Sequence, residues 1–266
     1  YARKGIAKGR SIVTVEYADG LLLMAENPSA SLNKISEIYD RIAFAGVGKY
    51  SEFENLRKAG IRYADLKGYS YSRQDVTTKS LANAYSETIG TIFTRDPKPL
   101  EVEILVVEVG ETSAQNEMYH VSFDGTITDR RQFAVIGGQA DRIRTYLQEH
   151  YSQDMPLAEA LALSRQSLLA GYERPPAEES ALEVGLLERP RVGRKFYRMT
   201  HGPRGAGPDR GRPRRRDPAR PLPRRRACHR PLRPAREAGR LRGDRPAAGR
   251  SGLRAVRPGI GRRRAP

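Results

Sequence analysis

Between Ser11 and Met199 the apolar period switches from two to about 3.6 and back, twice over, and each helical stretch has room for two helices rather than one. "SIVTVEYADGLLLMAEN" reads as two strands folded back at Asp19-Gly20, a hairpin signal, and "KISEIYDRIAFAGVG" continues in strand fashion. From Lys49 the period lengthens: Tyr50, Phe53 and Leu56 recur at helical spacing, with an end expected near Gly60. A second helix follows "DVT", capped by Thr77 or Thr78, with Leu81, Tyr85, Ile89 and Ile92 or Phe93 as its apolar face. Strand character returns in "EVEILVVEVG", a nearly continuous apolar run suited to burial on both faces. "MYHVSFDGTI" follows, with Tyr119, Val121 and Phe123 expected on one side before a turn at Asp124-Gly125, and then "QFAVIGG". The next helix carries Ile143, Tyr146, Leu147 and Tyr151. Its partner opens near Pro156, where the missing N–H costs nothing, and carries Leu157, Leu161, Leu168 and Leu169. After the loop "GYERPPAEES", the segments "ALEVGLL" and "RKFYRM" are the last strands. A doubly wound sheet receives its helices singly, so paired helices exclude it. The order predicts an α+β fold in which two antiparallel sheets face each other and a helix pair covers each outer side.

Composition matters mainly because the charge is unevenly placed. The formal net charge of +17 suggests a partner rich in phosphate, yet residues 201–266 hold 22 Arg, no Lys and four acids, which leaves residues 1–200 almost neutral at −1. The pull toward nucleic acid therefore belongs to the tail alone. That tail, dominated by Arg, Pro, Gly and Ala, has too little apolar surface to form a core and is expected to be disordered. Its composition fits a basic arm. It also fits a shifted reading frame in GC-rich DNA near codon 200, because the abundant residues have GC-rich codons and most of the missing ones have AT-rich codons. The expected division is a folded domain over 1–200 and a low-complexity tail over 201–266.

The single cysteine, Cys228, lies in the tail, so an intrachain disulfide is excluded and a reducing compartment, the cytoplasm, is expected. No apolar run is long enough to cross a bilayer as a helix, and no signal-peptide pattern opens the chain. The chain starts at Tyr1 rather than Met and is expected to be a fragment lacking its true N-terminus.

"FAGVGKYSEF" (44–53) resembles a phosphate loop, but the resemblance fails on chemistry. Gly-x-x-x-x-Gly-Lys-Ser/Thr needs a glycine to bend the loop and a hydroxyl for magnesium, and those positions hold Ala43 and Tyr50. Gly46 and Gly48 instead mark a strand-to-helix turn with close backbone packing or positive φ. His120 and His150 lack Cys or carboxylates at metal-ligand spacing, and Glu52, Glu54, Glu101 and Glu103 read as solvated faces. No catalytic residue, metal site or cofactor is expected.

The segments "ARKGIAKGRSIV", "YADGLLLMAENPSASLNKISEIYDRIAFAGVGKYSEFENLRKAGIRYADLKGYSY", "DVTTKSLANAYSETIGTIFT", "ALEVGLLERPR" and "RKFYRMT" resemble the α subunits of bacterial 20S proteasomes of the actinobacterial type, over residues 2–199. The resemblance implies the four-layer αββα sandwich of the N-terminal-nucleophile hydrolases, in agreement with the block order. It implies seven-membered outer α rings that gate substrate entry, stacked on catalytic β subunits. Those β subunits cleave unfolded proteins with an N-terminal threonine whose freed amine is the base. Here the matching position falls near Arg10-Ser11, behind "YARKGIAKG", so the subunit is expected to be catalytically silent; Ser11 has no adjacent base in the sequence. "YARKGIAKG" resembles the end of the helix that seals the ring, and the gating residues lie outside this chain.

The same resemblance implies that Lys34, in "LNKIS", receives the C-terminal carboxylate of a ring-shaped ATPase or other activator in a pocket between neighbouring α subunits, with Gly48 lining it. From the residues alone, Lys34 would be a solvated lysine at a strand end. Two other classes stay open at this stage: a self-contained hydrolase of the same fold, which would need a processed nucleophile, and a nucleic-acid binder driven by the tail.

Overall fold

Helix α1 (Ala2–Ala7) leads into hairpin β1 (Ile12–Tyr17) and β2 (Gly20–Glu26), joined at Ala18-Asp19 with Tyr17 opposite Gly20. The computed structural model describes residues 2–29, 31–171 and 182–199. A second hairpin, β3 (Ile35–Tyr39) and β4 (Ile42–Gly48), is followed by helices α2 (Tyr50–Ser70) and α3 (Thr78–Arg95). The chain then forms β5 (Val102–Glu108), β6 (Glu117–Val121), β7 (Ile127–Arg130) and β8 (Phe133–Ile136). Helices α4 (Ala140–His150) and α5 (Leu157–Gly171) and strands β9 (Leu182–Glu188) and β10 (Phe196–Met199) complete the described chain. One sheet has the order β10-β9-β2-β1-β8 and the other β3-β4-β5-β6-β7. Every strand pair within them is antiparallel.

Three apolar clusters define four layers. Ile12, Leu21, Leu23, Ala43, Ala45, Leu105 and Val107 meet between the sheets. Because successive side chains of a strand point to opposite faces, the alternate residues Val13, Val15, Leu22 and Met24 pack against Ile143, Leu147, Ala160 and Leu168 of α4 and α5. On the other outer face Phe44, Ile104 and Val106 meet Phe53, Leu56, Leu81, Tyr85 and Ile89 of α2 and α3. Burial on both faces explains the near-continuous apolar runs of β2, β4 and β5. The result is the α+β, four-layer αββα sandwich that the pairing of helices predicts. The loop "GYERPPAEES" after Gly171, and the whole tail with its expected disorder, lie outside the described residues.

Two local expectations are corrected. Helix α2 does not stop near Gly60 but runs on to Ser70, because Gly60 is buried against Tyr85 of α3: a Cβ there would lie 1.7 Å from the Tyr85 hydroxyl. Glycine at this point lets two helices approach closely instead of ending one. Phe123 does not join Tyr119 and Val121 in the cluster facing α2 and α3; it packs on the cluster between the sheets, with its ring edge against Phe93 near the end of α3. Strand β6 has ended at Val121, and the turn Ser122–Thr126, with Gly125 at φ 86°, breaks the alternation. The cap of α3 is Thr77, whose hydroxyl accepts from Ser80 N at 3.3 Å.

Candidate functional site

The turn that resembles a phosphate loop is built for close backbone approach. Gly48, the last residue of β4, has φ 111°, and a Cβ there would lie 1.9 Å from the carbonyl oxygen of Glu101. Gly46 is covered by the Phe53 ring, 2.8 Å from where its Cβ would be. Lys49 N donates to Glu101 O at 3.0 Å, and the Lys49 ammonium lies 3.3 Å from the Glu52 carboxylate. Glu52 in turn accepts from Glu101 N at 2.7 Å. The lysine that would face a phosphate is thus paired with a carboxylate at the start of α2.

Lys34 lies just before β3, and its carbonyl accepts from Gly46 N at 3.1 Å. Its ammonium turns inward, donating to the carbonyl oxygens of Arg10 at 3.3 Å and Glu26 at 3.2 Å. Burial holds its pKa below the usual lysine value, the nearby Arg10 charge lowers it further, and Glu183 and Glu26 oppose both. It is therefore not the solvated strand-end lysine that its sequence context suggests. Gly48 lies two residues beyond Gly46 along β4 and packs on Glu101, so the direct backbone partner of Lys34 is Gly46.

Four further charged residues close around Lys34. Arg10 pairs through Nη1 with Oε1 of Glu26, the last residue of β2. Glu183, on β9 and almost buried, accepts from Lys34 N at 2.9 Å, Ile35 N at 3.1 Å and Asn27 Nδ2 at 2.7 Å, and pairs with Arg198 of β10. Arg198 also donates to Ile35 O at 2.6 Å. These four residues come from three strands, β2, β9 and β10, and the α1–β1 link, which hides the cluster from sequence reading. The one local signal is the acid that ends the apolar run "LLLMAE".

Ser11 is fully buried, and its hydroxyl accepts from Gln139 N at 3.2 Å. Gly137, at φ 110°, brings its backbone against Ser11. The four glutamates expected on solvated faces are instead mostly covered and paired: Glu54 with Arg57 at 2.6 Å, Glu52 and Glu101 with Lys98, and Glu103 at 3.7 Å from His120 Nε2. The last contact brings a carboxylate to a histidine across β5 and β6, which spacing along the chain does not reveal. His150 ends α4, stacked on Tyr146 at 4.1 Å and donating from Nδ1 to Tyr146 O at 2.9 Å. Among the described residues no group of three or more His, Cys, Asp or Glu is placed to hold a metal ion. No described helix is long and apolar enough to cross a membrane.

Residues 6–187 match the family model described as proteasome subunit. The chain is 54% identical over 212 residues to a proteasome subunit alpha of Frankia alni, an alignment covering 76% of this chain and 87% of that protein. It is 53% identical over 205 residues to the proteasome subunit alpha of Saccharomonospora viridis, covering 75% and 80%. With that of Xylanimonas cellulosilytica it shares 51% over 221 residues, covering 77% and 90%.

Proposed function

Since the chain belongs to the proteasome subunit family, with α subunits among its relatives, we propose that it is the non-catalytic outer-ring subunit of a 20S proteasome core particle. In this reading it assembles with other α subunits and with catalytic β subunits, gates the entry of unfolded proteins, and docks a ring-shaped ATPase or other activator. Residues 1–200 form the ring-building domain, residues 201–266 are a separate low-complexity tail, and the particle works in the cytoplasm.

The observation that carries the silent role is the start of β1. A nucleophile of this fold needs a free α-amine at the first strand to act as its own base. Here that position is Arg10-Ser11, whose nitrogens are locked in peptide bonds behind α1, and the only hydroxyl is buried against Gln139. Assembly is supported by the end of α2 and its C-cap residue, where Leu66, Tyr69 and Tyr71 are 68%, 91% and 79% exposed, as expected of apolar surface that a neighbouring subunit covers. Docking is assigned to Lys34, with Gly48 as a lining residue. A terminal carboxylate on the Lys34 ammonium gains a charge-assisted hydrogen bond in a site shielded from water.

Native mass spectrometry of the full chain, expressed alone and with a β subunit of the same family, tests the assembly. Seven-fold rings or a four-ring particle, with peptidase activity only when β is present, is the expected result. A monomer indifferent to β refutes it. Lys34→Ala should leave assembly and basal peptidase activity intact and abolish stimulation by an ATPase activator; unchanged stimulation would remove Lys34 from the docking role.

A further inference from the structure

We infer that Arg10 is a second contact for the carboxylate docked at Lys34, and so helps determine which chain ends the site accepts. The inference rests on the docking role proposed for Lys34. The first observation is how Arg10 and Glu26 bracket that lysine. Their carbonyl oxygens take two of the three ammonium protons, at 3.3 and 3.2 Å, while their side chains pair with each other. The third proton is left for an anion, within reach of the charge of the residue whose backbone already holds the ammonium.

The second is the position of the guanidinium. The Arg10 side chain is 43% exposed and that of Glu26 only 6%, so the carboxylate sits inside and the guanidinium toward solvent. The pair is made through one nitrogen, Nη1, and a guanidinium carries five N–H donors in a planar fork that matches carboxylate geometry. Glu26 fixes the fork and leaves donors for a ligand.

The third is charge. Arg198 and Glu183 neutralise each other, as do Arg10 and Glu26, whereas Lys34 has no carboxylate partner among the described residues. The five interlocked side chains carry one net positive charge, which a single carboxylate balances and a phosphate dianion or a neutral amide does not. Burial first and the nearby Arg10 charge second hold the Lys34 pKa down, with Glu183 and Glu26 opposing both.

The test uses the full chain co-expressed with a β subunit. It is exposed to a pool of random decapeptides made once with free C-terminal carboxylates and once as C-terminal amides, and retained peptides are counted by mass spectrometry. The original chain should favour the carboxylate pool, Lys34→Ala should lose that preference, and Arg10→Gln should lower it about tenfold without changing amide retention. Arg10→Gln leaves Glu26 buried without its partner, so Arg10→Gln/Glu26→Gln is measured in parallel and should show the same loss. If both Arg10 variants keep full preference while Lys34→Ala loses it, Arg10 is not a contact and the Lys34 role stands. If the original chain shows no preference and Lys34→Ala changes nothing, the docking role itself fails, and Arg10 with it.

Discussion

Substituting Gly60 by Ala sets two effects of opposite sign against each other. Alanine is the better helix former by about 1 kcal/mol, and on a free helix the change would stabilise. Gly60, however, faces α3, and its new Cβ would lie 1.7 Å from the Tyr85 hydroxyl and 2.7 Å from Cζ of that ring. Tyr85 is 3% exposed and packs on Phe44 at a centroid distance of 5.9 Å, so the ring has no free space to swing into. Overpacking of a close-packed site costs about 1–3 kcal/mol, and contacts this short put it at the upper end. The expected net effect is a loss of about 2 kcal/mol, or roughly 4–8 °C in melting temperature for a domain of this size.

Tyr85→Phe supplies the control. The Tyr85 hydroxyl is buried without a hydrogen-bond partner among the described residues, so its removal should be neutral or stabilising by about 1 kcal/mol. It also removes the closest clash, so Gly60→Ala should cost at least ~0.5 kcal/mol less in the Tyr85→Phe background. Urea denaturation of the four proteins, followed by far-ultraviolet circular dichroism, measures the cycle. A stabilising Gly60→Ala, or strictly additive variants, would refute the close approach of α2 and α3 at this residue.

Gly48→Ala should be worse tolerated, losing about 3 kcal/mol or more, because it adds positive-φ strain to a backbone clash with Glu101; a melting temperature within about 2 °C of the parent chain, well under the roughly 6–12 °C that such a loss implies, would show that the turn can relax. Glu183→Ala should cost about 3–5 kcal/mol by leaving Arg198 and two buried N–H groups unpaired, and Glu183→Gln, which can still accept, should cost less; equal losses in denaturation experiments would contradict the hydrogen-bonding role. Burial raises the Tyr151 hydroxyl from 10.0 to about 12. A group whose folded pKa is raised contributes stability that is fully present below its unfolded value and lost as pH rises through the folded one. The contribution of Tyr151 should therefore fade between pH 10 and 12, and Tyr151→Phe should flatten that part of the melting-temperature profile; an unchanged profile counts against it.

What the sequence determined by itself is the succession of elements and the punctuation between them. The first hairpin, read at Asp19-Gly20 and closed one residue earlier at Ala18-Asp19, a threonine cap on α3, read as Thr77 or Thr78 and made by Thr77, and the turns at Gly48 and Gly125 depend on residues a few positions apart, and their backbone requirements are written into single residue types. The four layers were legible because two-sided strands and paired helices each leave apolar faces that only one arrangement covers. Resemblance of long segments to a known family added what periodicity could not: the expectation that Lys34 has a partner.

Tertiary structure alone decided the rest. Gly60 reads locally as a helix end, yet the helix continues because the energy of packing against Tyr85 outweighs the weak propensity of one glycine. Glutamates 52, 54, 101 and 103 look like solvent-facing charges until strands and helix starts bring Lys49, Arg57, Lys98 and His120 to them. The surroundings of Lys34 were least visible, since Glu183 reaches its backbone from 149 residues away. A polar residue signals its type but not its partner. Electrostatic and hydrogen-bonding energies depend on distances of a few ångströms, and those distances are set by how the two sheets stack, not by spacing along the chain.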